Sequence, residues 1–275
     1  MSIFASGTDA LAAGIPDVLA SNLVQRILSA LILGPLVIWA AWVGGIPLMI
    51  LVALAGIGGF YEWSRVIGAP VGLRVAISAV VLVAVPLWFA AVDAALWAGV
   101  VSVLLITLLV GAWGAIAYTG GGLWDAVGTG VLGFTVFSLV SMDHIAGQPL
   151  IWVFAIVWAT DTGAYAVGRT FGGPKLAPVI SPNKTWSGAL GGLAAGTIVG
   201  VVAGPYLGVD LPQTGLIAIA AILSVTSITG DLLQSAWKRS FDVKDSGAIL
   251  PGHGGILDRI DGLIPASILA SIILR

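Results

Sequence analysis

The residues with the clearest chemical potential fall late in the 275-residue chain. One run reads Gly230-Asp231-Leu232-Leu233-Gln234-Ser235-Ala236-Trp237-Lys238-Arg239. Positions four and seven apart share a helix face, so Asp231, Ser235 and Lys238 line one side. Asp231 sits near the end of an otherwise apolar stretch. A carboxylate there is costly without a cation or a task, which marks a functional position; an Asp–Lys or Asp–Arg pair within a helix bundle is the simpler account. The next run follows closely: Lys244-Asp245-Ser246-Gly247, then Pro251-Gly252-His253-Gly254-Gly255-Ile256-Leu257-Asp258-Arg259-Ile260-Asp261. Asp258 and Asp261 are three apart, on one face at a helix start. With Asp231 they offer three carboxylates from two consecutive helices. Gly252, Gly254 and Gly255 leave room for a phosphate against backbone amides. His253 reads first as a loop hydrogen-bonder and second as an acid or base.

An earlier cluster joins the end of one helix to a polar loop. Asp161-Thr162-Gly163-Ala164-Tyr165-Ala166-Val167-Gly168-Arg169 puts Asp161, Tyr165 and Gly168 on one face. The loop runs through Lys175 to Ser181-Pro182-Asn183-Lys184-Thr185-Trp186. Lysines are cationic donors for phosphate. Lys184 and Thr185 precede a helix whose first amides favour an anion. The GxxxxGK[ST] spacing of a Walker A loop is absent. Taken alone, this loop also reads as a solvated connection with topogenic lysines.

The chain has no cysteine and two histidines, which excludes disulfides and thiolate metal sites. Oxygen-only ligands suit Mg²⁺ and not zinc. Carboxylates, lysines, arginines and glycines together point to phosphoryl or nucleotidyl transfer. There, metal ions bridge phosphate oxygens and cations neutralise developing charge, with no need of a nucleophilic Ser or Cys.

The elements that must hold these groups are membrane helices. Hydrophobic residues make up 59% of the chain and charged residues 9%, against about 25% charged in soluble domains. Too few polar groups exist to cover a water-facing surface, whereas a bilayer accepts apolar helices whose backbone is satisfied internally. The apolar runs are continuous and helix-length, which excludes a β-barrel. Nine segments are near the ~20 residues of a span: Val24–Val43, Pro47–Val66, Val75–Val92, Ala95–Tyr118, Leu123–Met142, Leu150–Val167, Ser187–Leu207, Gly215–Trp237 and Gly255–Leu274. The expected fold class is therefore an all-α polytopic membrane protein. Taken in alternation, the loops put Arg26, Arg65, Arg74, Arg169, Lys175, Lys184, Lys238, Arg239, Lys244 and Arg259 on one side, and only Arg275 on the other. Basic residues stay cytoplasmic, so the N-terminus and both charged loops face the cytoplasm and the C-terminus lies outside. Residues 1–22 lack signal-peptide character and read as a soluble tail. Residues 23–275 form one transmembrane domain, with the active region in 161–261. The net charge of −2 gives no general nucleic-acid affinity.

The stretch from Ser235 through Lys238-Arg239, Lys244-Asp245, Pro251-Gly252-His253-Gly254-Gly255 and Asp258-Arg259-Ile260-Asp261 resembles the signature of phosphatidate cytidylyltransferases, also called CDP-diacylglycerol synthases. Asp161 to Tyr165, Ser181 to Trp186, and Tyr61-Glu62-Trp63-Ser64 agree with it; Ser187 departs from the Glu or Gln often found there. The resemblance implies a reaction: CTP and phosphatidate give CDP-diacylglycerol and pyrophosphate with Mg²⁺, in phospholipid biosynthesis. It implies a homodimeric, multi-pass protein of the inner (plasma) membrane with its active site facing the cytoplasm. By the same resemblance Asp231 and Asp258 look like metal ligands, with Asp261 close by. Ser235 and Lys238 look like phosphate-facing residues, Asp231, Lys238 and Asp258 forming the catalytic set. Lys184, Arg239, Lys244 and Arg259 would contact the triphosphate or lipid phosphate, and His253 a phosphate. Two other readings stay open at this stage. An ion-coupled transporter would use Asp161 and Asp231 within the bilayer, and a CTP-dependent enzyme would act on a different lipid.

Overall fold

A computed structural model describes residues 22–69, 83–88, 96–117 and 122–275. The fold is nearly all helical. In chain order the helices are α1 (Asn22–Val43), α2 (Gly45–Val66), α3 (Leu96–Ala117), α4 (Gly122–Ser141) and α5 (Pro149–Phe171). A small hairpin follows, β1 (Lys175–Ala177) and β2 (Ser181–Thr185), then α6 (Trp186–Tyr206), α7 (Gln213–Ser240), α8 (Leu257–Ile260) and α9 (Leu263–Ile273). Among the described residues, six helices are long and apolar enough to cross a bilayer: α2 to α7. The expected first span is helical, but its apolar part, Ile27–Val43, is shorter. The tail over residues 1–21 and most of the expected third span, Val75–Val92, lie outside the described residues; within that span, 83–88 are helical.

The expected ninth span, Gly255–Leu274, is two short helices. Pro265 lacks an N–H, so the carbonyl of Asp261 has no donor four residues on, and the ladder breaks beside the acidic pair. The loop after α5 also differs from a plain connection. Gly172 and Gly173, at φ 60° and 104°, end the helix. The chain then folds into an antiparallel hairpin in which Lys175 faces Thr185.

Side chains are arranged as lipid requires. Large apolar residues face outward: Leu108, Leu109 and Ile116 on α3 are 68%, 69% and 86% exposed. Polar groups such as Thr160, Ser224, Thr135 and Ser138 are buried. Lipid tails are as apolar as leucine, so close backbone packing and interhelical hydrogen bonds must hold helices together. A stripe on α6 supplies the first: Gly188, Gly192, Gly196, Gly200 and Gly204 are all buried. A Cβ at Gly192 would stand 2.7 Å from the Thr160 carbonyl, and one at Gly196 would run into the hydroxyls of Thr160 and Ser224. The stripe therefore wedges α6 against α5 and α7. Hydrogen bonds add to it: Thr160 Oγ1 donates to Ser224 Oγ (3.1 Å) and Trp152 Nε1 to the Gly200 carbonyl (2.7 Å). This wedge sets the spacing of the helices that carry Asp161 and Asp231.

Candidate active site

Asp161 lies just past the middle of α5 and Asp231 in the last third of α7. Between them comes the end of β2. Thr185 is extended and caps α6, its Oγ1 accepting from the Gly188 amide at 3.1 Å. Ser187 donates to the Gly172 carbonyl and meets Thr185 Oγ1 at 3.0 Å, which ties the hairpin base to the end of α5. The side chain at this position thus braces the hairpin. That brace delivers Lys184 to α7, where its ammonium pairs with Asp231. Around the pair is a cavity of about 590 Å³, lined by Asp161, Tyr165, Arg169, Asn183, Lys184 and Asp231 among others. Ser235 Oγ donates to Asp231 Oδ1 at 3.4 Å, as a spacing of four on one helix face allows.

One turn further along α7, Lys238 Nζ meets Asp258 Oδ1 at 2.6 Å, with both side chains about one-tenth exposed. Asp258 Oδ2 accepts the amides of Ser246 (2.9 Å) and Gly255 (3.2 Å). Gln234 Nε2 donates to the Leu257 carbonyl at 2.6 Å and fastens α8 to α7. Asp261 follows α8, its Oδ1 accepting the Gly262 amide at 2.8 Å. The structure thus separates two of the expected acids. Asp231 pairs with Lys184 at the cavity, while Asp258 is engaged on both oxygens by Lys238 and the loop.

The remaining expected contacts lie on the surrounding loop. Arg239 is exposed and donates to the Val243 carbonyl at 3.1 Å; Lys244 is exposed. Arg259 Nε donates to the His253 carbonyl at 2.9 Å, and His253 Nδ1 lies 2.8 Å from Ser29 Oγ on α1. Arg259 and His253 shape the 250–254 turn, and among the described residues none of these four side chains forms an ion pair with a carboxylate. The glycines there have structural tasks as well. Gly252 and Gly254 take φ of 73° and 86°. The room expected at Gly255 is filled: a Cβ there would lie 2.7 Å from Glu62 Oε2.

Two residues count for more here than in the sequence reading. From sequence alone Asp161 falls in the active region and in the transporter reading, but not among the expected metal ligands or phosphate contacts. Glu62 stood only in a weakly matching stretch, yet it is buried against the loop bearing Asp258. Its one sequence signal is a carboxylate beside aromatics at the end of an apolar helix. Trp63 stacks on Trp237 of α7, with ring centroids 4.0 Å apart and planes at 12°, so α2 is held against the site.

The donors suit a hard divalent cation in chemistry: the carboxylates of Asp161 and Asp231 line the cavity, beside the cations Lys184 and Arg169. Among the described residues no three acids or histidines converge on one ion-sized position. Mg²⁺ needs no such cage, since it commonly takes one or two carboxylates and completes its shell with water and substrate phosphates.

Comparison with known proteins gives a consistent pattern. The profile of the family described as "Cytidylyltransferase family" matches residues 24–275. A phosphatidate cytidylyltransferase of Brucella suis is 39% identical over 259 residues, covering 90% of this chain and 92% of that protein. One from Staphylococcus haemolyticus is 46% identical over 143 residues, covering 52% of this chain and 54% of that protein.

Proposed function

The chain belongs to the cytidylyltransferase family, and from that premise we propose that it transfers the cytidylyl group of CTP to phosphatidate, giving CDP-diacylglycerol and pyrophosphate. The observation that carries this reading is the Lys184–Asp231 pair in a cavity between helices long enough to span a bilayer. A lipid phosphate and a soluble triphosphate both find cations there.

In the proposed reaction a phosphate oxygen of phosphatidate attacks the α-phosphorus of CTP. The new P–O bond forms as the α–β bridging P–O bond breaks, and pyrophosphate leaves. A phosphate monoester is already ionised near neutral pH, so no strong general base is needed. Lys184, released from Asp231 by the incoming phosphates, and Lys238, held by Asp258, stabilise the spreading negative charge. Ser235 supplies a neutral donor on the same face of α7. Arg239, Lys244, His253 and Arg259 form an outer rim that draws in the triphosphate or the lipid headgroup. When bound there, Mg²⁺ would supply Lewis-acid charge neutralisation. Asp231 and Asp261 would hold it; Asp258 would join only by exchanging Lys238 for the ion.

The finer parts of the proposal are nine spans, a cytoplasmic N-terminus, an outside C-terminus, residence in the inner (plasma) membrane and a homodimer. They rest on the one-sided distribution of Lys and Arg and on the family resemblance. The test of function is pyrophosphate release from CTP by purified protein in detergent. Release that requires phosphatidate supports the proposal. Release with a polyprenol phosphate but not with phosphatidate would replace it.

A further inference from the structure

Glu62 has no part in the reaction as drawn, yet it is 1% exposed at the end of α2. Its Oε1 accepts the Ile256 amide at 2.9 Å. Its Oε2 accepts the Leu257 amide at 2.9 Å and the Ser246 hydroxyl at 3.1 Å. These partners belong to the two ends of the 246–257 segment, which bears His253. The loop is also fitted sterically to this carboxylate. A Cβ at Gly247 would fall 2.6 Å from Glu62 Oε1, and one at Gly255 would fall 2.7 Å from Oε2. A buried carboxylate is held only where hydrogen bonds replace its hydration, and here three donors do so.

The same two loop ends are gripped from the other side by Asp258, through the amides of Ser246 and Gly255. Ser246 is therefore shared, its amide to Asp258 and its hydroxyl to Glu62. Residues 256 and 257, fixed by Glu62, are the ones immediately before Asp258. Asp258 in turn sets Lys238 Nζ. We propose that Glu62 is a positioning residue: it fixes the turn that aims Asp258, and through Asp258 it places the Lys238 ammonium, without itself touching substrate. This rests on the reaction proposed above.

Substitution E62Q puts an amide NH₂ where a backbone N–H now donates, so one of the two backbone bonds must break. The experiment compares wild type, E62Q and Leu48→Ala in detergent. Leu48 is buried on the same helix, in the core away from the loop. Three quantities are read: kcat with CTP and phosphatidate, melting temperature, and amide hydrogen exchange over 244–261. Displacement of a reacting group by about 1 Å can cost on the order of a hundredfold. The expected result for E62Q is a fall in kcat of about tenfold to a hundredfold, with faster exchange at Ile256 and Leu257. Leu48→Ala lowers the melting temperature at least as much, yet keeps its kcat and the loop's protection. If E62Q does not accumulate as folded protein, E62D, one methylene short of the amides, takes its place with the same expectations. Wild-type kcat or wild-type exchange in the Glu62 variant would overturn the inference. So would an equal loss of kcat in Leu48→Ala, since that marks a general stability effect. A wild-type protein without turnover sinks the proposed reaction instead, and the exchange comparison then decides by itself whether Glu62 sets the Asp258 turn.

Discussion

At the residue scale, the site is built from two ion pairs with different tasks. Lys184 and Asp231 line an open cavity, with side chains 25% and 31% exposed. Lys238 and Asp258 are more enclosed, and backbone amides share the load on Asp258. The open pair is suited to exchanging partners when phosphates arrive, and the enclosed pair to holding one cation still. Removing the Lys184 charge by Lys184→Met leaves Asp231 without its cation and the phosphates without a donor. Loss of one charge-stabilising donor costs about 10² to 10³ in turnover, so this variant is expected to lose that much kcat/KM for CTP. Steady-state kinetics checks it; activity within a few-fold of wild type would remove Lys184 from the mechanism. Lys184→Arg is not a neutral exchange, because a planar fork replaces a compact charge in a pair of fixed geometry.

At the scale of elements, the glycine stripe of α6 is what brings α5 and α7 together. Filling it should separate them. Gly196→Leu, which pushes into Thr160 and Ser224, is expected to destabilise the protein by about 1–3 kcal/mol and to weaken activity by parting Asp161 from Asp231. A thermal melt in detergent beside the activity assay reads both; an unchanged melting temperature would mean the stripe does not set the helix spacing. This scale also shows what the sequence could and could not reveal. The face shared by Asp231, Ser235 and Lys238 follows from helical periodicity, and the Ser235–Asp231 hydrogen bond bears it out. The continuous apolar runs anticipate α2 and α4 to α7 to within a few residues. Pairing across distant parts of the chain has no such local signature. Nothing local shows that Lys184 meets Asp231, that Lys238 takes Asp258, or that Glu62 reaches Ser246 from 184 residues away. The break before α9 was legible in principle, since Pro265 removes a backbone donor, but high apolar content hid it. The hairpin was likewise hidden in a stretch rich in Gly and Pro.

At the scale of the whole molecule, large apolar side chains face outward as well as filling the core, and polar ones are gathered within and at one end of α7. An apolar outer surface fits a lipid solvent. A lipid substrate can then approach its phosphate site between helices without leaving the bilayer, while a nucleotide arrives from water. The proposed orientation puts that end in the cytoplasm, and the chain's lack of cysteine makes it directly testable. Val179→Cys lies at the exposed hairpin turn, and Asp210→Cys in the loop between α6 and α7. An impermeant thiol reagent applied to intact cells is expected to label the second and to reach the first only after permeabilisation. The opposite pattern would invert the topology.

The central claim is that this chain joins CTP to phosphatidate by charge stabilisation around Asp231. Its most direct test is the rate of pyrophosphate release from CTP by the purified wild-type protein and by Asp231→Asn, with phosphatidate present, with and without Mg²⁺. Release by the wild type is expected to require both phosphatidate and Mg²⁺, with CDP-diacylglycerol formed in equal amount. Near-complete loss is expected in a folded Asp231→Asn protein. Release that proceeds without phosphatidate, or full activity in Asp231→Asn, would contradict the claim.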